Sequence, residues 1–159
     1  MTFDLDSLDL QLLEIVQTDS ALTAAELAER VPLSPSAVQR RLNRMRQAGV
    51  IEREAAVLSA AFIRGRVTGV VHVQMASHAA DAVESVRADL AALPQVQIFY
   101  EISGAFDLLL VVIERDLEAF NAFTATVLGG HPNVLRFETA FVKTRVKQTL
   151  AVPVGPDVR

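Results

Sequence analysis

Between residues 106 and 113 every position except Asp107 is apolar, and the apolar side chains occupy both alternating sets. Phe106, Leu108, Leu110 and Val112 form one set, and Leu109, Val111 and Ile113 form the other. Side chains of a strand point alternately to opposite sides, so a strand over 106–114 must be buried on both faces. Periodicity supplies three more strands, over 67–75, 96–102 and 134–149, and two helices, over 81–93 and 116–128. Val83, Val86, Leu90 and Leu93 line one side of the first helix, and Leu117, Phe120, Phe123 and Val127 one side of the second. Pro94 and the run Gly129-Gly130-His131-Pro132 stop them. The order βαββαβ predicts a ferredoxin-like sandwich whose helices cover one sheet face. The other face then needs a second subunit, most simply across a two-fold axis.

The first half reads differently. Asp6 or Ser7 can cap a helix with Leu8, Leu12, Ile15 and Val16 on one face. Thr23 and Glu26 have capping-box spacing and open a short helix with Leu27, Ala28 and Val31 inward. Ser34-Pro35 starts a third helix striped by Val38, Leu42 and Met45, and Gly49 is placed to end it. Residues 50–58 alternate weakly and predict a short strand or wing. Three such helices, two of them joined by a short turn, have the spacing of a helix-turn-helix.

Net charge is −4, which by itself argues against a nucleic-acid partner. The distribution reverses that argument: residues 34–49 hold Arg40, Arg41, Arg44 and Arg46 and no acid. With the apolar stripe inward, Ser36, Arg40, Asn43 and Gln47 lie opposite it, and Gln39, Arg44 and Arg46 lie on the flanks. Ser34, Ser36, Gln39, Arg40 and Asn43 carry groups that address base edges, and Arg41 and Arg44 are assigned to phosphates of double-stranded DNA. A solvated basic face on an ordinary surface helix is the plainer alternative.

Other chemistries find little support. The chain has no cysteine, hence no disulfide and no thiolate metal site. It contains no G-x-G-x-x-G run, nucleophile elbow or paired-carboxylate spacing, and nothing gathers His72, His78 and His131 as ligands. No metal, cofactor or catalytic residue is expected. His72 alternates with Val71 and Val73 and is assigned to the dimer-facing sheet surface; Phe120, Phe123 and Phe141 are assigned to the core. The start, Met1-Thr2-Phe3-Asp4, is acidic and the longest apolar run is too short for a bilayer, so a cytoplasmic protein without membrane contact is expected.

Several segments together resemble the Lrp/AsnC family of feast/famine transcription regulators. They are Leu5-Asp6-Ser7-Leu8-Asp9, Ala25-Glu26-Leu27-Ala28-Glu29-Arg30-Val31, Leu33-Ser34-Pro35-Ser36-Ala37-Val38, Ala48-Gly49-Val50-Ile51 and Ser103-Gly104-Ala105-Phe106-Asp107. The resemblance implies a winged helix-turn-helix followed by a ferredoxin-like, RAM-type α+β domain, assembled as a homodimer or an octamer. It also implies a small-molecule effector, typically an amino acid, bound near Ser103, Gly104, Asp107 and Thr139. Two positions depart from the family pattern. Pro32 stands where a glycine is usual, so the second helix is expected to end early. Ala105 stands where an acidic residue often follows the glycine, which bears on ordinary amino-acid sensing.

The expected organisation is a DNA-binding domain over 1–58, a linker over 59–65 with Gly65 its soft point, an effector and assembly domain over 66–150, and a tail over 151–159. Two other readings remain: a sirohaem-type tetrapyrrole decarboxylase on the same architecture, and an effector-independent DNA-organising protein.

Overall fold

Asp6 starts the first helix as the sequence demands: its carboxylate accepts the Leu8 and Asp9 amides, each at 2.9 Å, and Asp9 returns to the Asp6 amide at 3.2 Å. In the computed structural model, which describes residues 4–59 and 61–154, this helix is α1, Ser7–Val16. Thr23 and Glu26 form the second reciprocal cap and open α2, Ala24–Ala28. Turn residues follow α2, and Leu33 closes on Val31 at 2.7 Å across Pro32. Proline admits this turn because its fixed φ is negative and it has no amide to leave unpaired. Ser34 then caps α3, Pro35–Gln47.

α3 ends at a left-handed glycine. Gly49 has φ of 73°, its amide reaches the Arg46 carbonyl at 3.1 Å, and the Val50 amide reaches Met45 at 2.9 Å. This is a Schellman closure, and it turns Val50 and Ile51 back onto the core. That core is Leu12, Leu27, Val31, Val38, Leu42 and Met45, all buried. At about 1.5–3 kcal/mol for each fully buried aliphatic side chain, it is the main force holding three short helices together. Residues 50–58, expected as a short strand or wing, form no strand with the other described residues and are exposed from Glu52 onward.

The second unit carries β1 (Val67–Met75), α4 (Ala80–Ala91), β2 (Val96–Glu101), β3 (Leu108–Glu114), α5 (Leu117–Phe123) and β4 (Val134–Phe141). The sheet order is β2-β3-β1-β4 with every pair antiparallel, the ferredoxin-like arrangement. Val71, Val73, Leu108, Leu110 and Val112 pack under Val86, Leu90, Phe120, Phe123 and Leu128. The opposite face carries Val70, His72, Leu109, Val111 and Ile98, matched across the strands by register.

Three features differ from expectation by more than a shift of one or two residues at an element's end. Phe106 does not share a face with Leu108: its ring lies 5.4 Å from His72, on the opposite side, because the regular strand begins only after Asp107. β4 stops at Phe141 rather than running to 149. The final helix changes pitch at Thr124, where the Gly129 amide bonds the Thr124 carbonyl at 2.9 Å and a π turn spans Thr124–Leu128. The Thr124 hydroxyl donates to the Phe120 and Asn121 carbonyls, the back-bonding that competes with regular helix.

The chain divides into two compact units. One holds the described residues up to Val57 together with those from Lys147 on; the other spans Leu58–Val146. The ends of the sequence-based domains and tail, residues 1–3 and 155–159, and Ala60 in the linker lie outside the described residues. No helix among the described residues is long and apolar enough to cross a membrane.

Candidate nucleic-acid interface and effector pocket

α3 presents three distinct faces. Val38, Leu42 and Met45 are buried, while Ser34, Ser36, Gln39, Arg40 and Asn43 are exposed. The Ser34 hydroxyl accepts the Ala37 amide at 3.3 Å and lies 3.1 Å from the Ser36 hydroxyl. Asn43 Oδ1 accepts from Gln39 Nε2 at 3.0 Å and from Arg46 at 3.3 Å, so three solvent-facing side chains are ordered as a ladder along one flank. Arg46 ends that ladder on Glu54, with Nε and Nη2 at 3.1 and 2.7 Å from one carboxylate oxygen.

The other flank faces α1. Arg41 donates to Asp6 at 2.7 Å and to Asp9 at 2.8 Å, and Arg44 donates to the second Asp9 oxygen. Asp9 is fully buried. The hydrogen bond to Asp9, with that to Asp6, raises Arg41 above the ordinary guanidinium value; in return Arg41 holds the Asp6 carboxyl below the usual carboxylate range. The expected phosphate contacts Arg41 and Arg44 thus already have carboxylate partners within the chain. Among the described residues, Arg40 alone of the four arginines pairs with no carboxylate.

In the second unit, Ser103 and Gly104 are exposed in the β2–β3 turn, which closes through the Ile102 amide on the Asp107 carbonyl at 2.8 Å. Asp107 points inward to a cavity of about 160 Å³ walled by Met75, Val83, Val86, Phe99, Ile102 and Leu108, with His78 and Glu101 among its polar edges. Its carboxylate accepts the Met75 amide at 2.7 Å and lies 2.8 Å from His78 Nε2. His78 first, and then that amide, holds the Asp107 carboxyl below its ordinary value. Glu101 is tied to Arg87 at 2.6 Å, and Arg87 also bonds Glu84. Thr139 is not part of this cluster: it sits on β4 opposite Val71, on the helix-covered face.

Two family models fit these two units. The winged helix-turn-helix DNA-binding model matches residues 5–52, and the Lrp/AsnC ligand-binding domain model matches residues 68–152. The chain belongs to the Lrp/AsnC family. This Lrp/AsnC chain is 37% identical to an HTH-type transcriptional regulator of Sinorhizobium fredii over 151 residues, covering 95% of itself and 89% of the relative. It is 30% identical to the leucine-responsive regulatory protein of Salmonella typhimurium, covering 92% of itself and 89% of that protein. A Neisseria meningitidis transcriptional regulator solved as its L-methionine complex superposes with a TM-score of 0.88 at 32% identity, covering 95% of this chain and 97% of the other. The Lrp/AsnC chain is therefore a helix-turn-helix transcription regulator.

Sequence reasoning missed Asp9, His78 and Glu101. The Asp6-x-x-Asp9 spacing is visible as a capping signal, but nothing local shows that Asp9 also meets residues 32 and 35 positions away. His78 lies 29 positions from Asp107 and no motif joins them.

Proposed function

We propose that this Lrp/AsnC regulator reads double-stranded DNA with Ser36, Gln39, Arg40 and Asn43 of α3 and responds to an amino acid bound beside Ser103, Gly104 and Asp107. The observation that carries the reading is the exposed face of α3, where Arg40, paired with no carboxylate among the described residues, stands among ordered amides suited to base edges. Support for an amino-acid effector comes from the L-methionine complex of the Neisseria relative and from the apolar cavity beside Asp107. A carboxylate there suits an α-ammonium group, and the apolar walls suit an aliphatic side chain. The sheet face of Val70, His72, Leu109 and Val111 is the surface through which a second copy completes the dimer.

The test selects duplexes from a random-sequence pool with the full chain. Affinity for the selected duplex is then measured with each common amino acid, beside the oligomer mass. Preference over a scrambled duplex, a shift with at least one amino acid, and loss of that shift in Asp107→Asn are expected. Arg40→Ala should cut the preference by about tenfold or more, as loss of a bidentate base contact would. A chain indifferent to duplex at low ionic strength overturns the DNA assignment. Preference without any amino-acid effect overturns the effector assignment and leaves an effector-independent DNA organiser. The decarboxylase alternative has no counterpart among the relatives above, whose names are those of transcription regulators.

A further inference from the structure

The cluster between α1 and α3 has a geometry that phosphate clamping does not explain. Asp9 is fully buried, yet its two oxygens receive the Asp6 amide, an Arg41 amino group and an Arg44 amino group. Asp6 takes a second bond from Arg41. Two carboxylates and two guanidinium groups cancel in formal charge. The Arg41 side chain is only 20% exposed. An arginine that turned from this cluster to a phosphate would leave a buried carboxylate short of a donor, a costly exchange for one solvent-facing contact. The same bonds tie the first turn of α1 to the flank of α3 and, together with the buried stripe of Val38, Leu42 and Met45, set the rotation of α3 about its own axis. That rotation decides which side chains face outward.

We infer that Asp9 is a positioning residue for DNA reading: it holds Arg41 and Arg44 as struts against α1, keeps their charge from the phosphate backbone, and steadies the outward setting of Gln39, Arg40 and Asn43 that the buried stripe begins. This rests on the assignment of α3 as the DNA-contacting helix. Each phosphate neutralised by a protein cation contributes about 0.9 to the slope of log affinity against log salt. Struts contribute nothing to that slope, whereas clamps do.

The experiment measures salt slopes on a random-sequence duplex, and the selected-to-scrambled affinity ratio, for the full chain and its Arg41→Gln and Asp9→Asn variants. Arg41→Gln is expected to keep the wild-type slope while melting at a lower temperature. Asp9→Asn, nearly isosteric but uncharged, is expected to steepen the slope, because Arg41 and Arg44 each lose a carboxylate partner, and to shrink the ratio, because the tie between α1 and α3 loosens. A slope in Arg41→Gln shallower by about 0.9 per chain overturns the inference, and so does an Asp9→Asn chain with unchanged slope and ratio. Where Asp9→Asn fails to fold, the Arg41→Gln slope decides alone. Failure of the DNA assignment itself is distinct: there the wild-type chain shows no salt-dependent duplex binding.

Discussion

Gly69→Ala is the sharpest probe of how the second unit is packed. Gly69 lies on β1 opposite Val112 and Phe141, and a Cβ built on it would stand 2.3 Å from Cζ and 2.6 Å from Cε2 of Phe120. Carbon atoms in favourable contact sit about 3.5–4.0 Å apart, so the ring would have to withdraw by more than about 1 Å. Phe120 is 1% exposed and meets Phe141 edge-on at 5.1 Å, so withdrawal must displace the aromatic pair or α5 itself. Overpacking of this kind costs about 1–3 kcal/mol, offset by about 0.4–1 kcal/mol from the stiffer unfolded chain. The expected loss is about 1–2 kcal/mol, or roughly 4–8 °C per kcal/mol for a unit of this size. Urea unfolding followed by tyrosine fluorescence isolates the effect, because Tyr100 on β2 is the only tyrosine and the chain has no tryptophan. Phe120→Leu in the Gly69→Ala background should cost less than the sum of the two single changes. An unchanged midpoint for Gly69→Ala, or strict additivity in the double variant, would refute the close approach of ring and strand.

Two further outcomes follow from particular bonds. His78 and the Met75 amide hold Asp107 below the usual carboxylate range, so their contribution is present above the unfolded value of about 3.9 and is lost as pH falls through the folded one. Asp107→Asn should therefore make the tyrosine-monitored urea midpoint less sensitive to acid between about pH 5 and pH 3, and a decline as steep as the wild type's would count against it. In the first unit, the Gln17 carboxamide brackets Val152, donating to its carbonyl at 2.7 Å and accepting its amide at 2.9 Å. Gln17→Ala should speed hydrogen exchange of the Val152 amide while sparing the interior amides of α1; unchanged exchange would dismiss that clasp.

Local signals carried most of the architecture. Ser34-Pro35, the Thr23–Glu26 pair and Gly49 act within one or two turns of helix, so their chemistry is written in adjacent letters. Strand β1 was legible to the residue because Val67 to Met75 is one continuous run rich in β-branched residues. Phe106 was misplaced because alternation was carried through Asp107, whose carboxylate accepts the Met75 amide and whose amide donates to the Val73 carbonyl, so that the regular strand begins only after it. The end of the last strand was overdrawn because β-branched residues recur at alternate positions after Phe141, at Val142, Thr144 and Val146, although the strand itself ends at Phe141. Among the candidate site residues, exposure of Ser36, Gln39, Arg40 and Asn43 followed from the stripe opposite them, whereas the setting of Arg41 and Arg44 did not.

Patterns of capping, periodicity and charge, all short-range, determined that this chain forms three helices with a basic third one and a βαββαβ sandwich. Only tertiary structure decided which arginines face outward, because Asp6 and Asp9 meet Arg41 and Arg44 across more than thirty intervening residues. It likewise decided that Asp107 is bonded to His78 and Met75 while Thr139 lies apart. Charge pairing depends on distance in space, and a linear pattern records distance only along the chain.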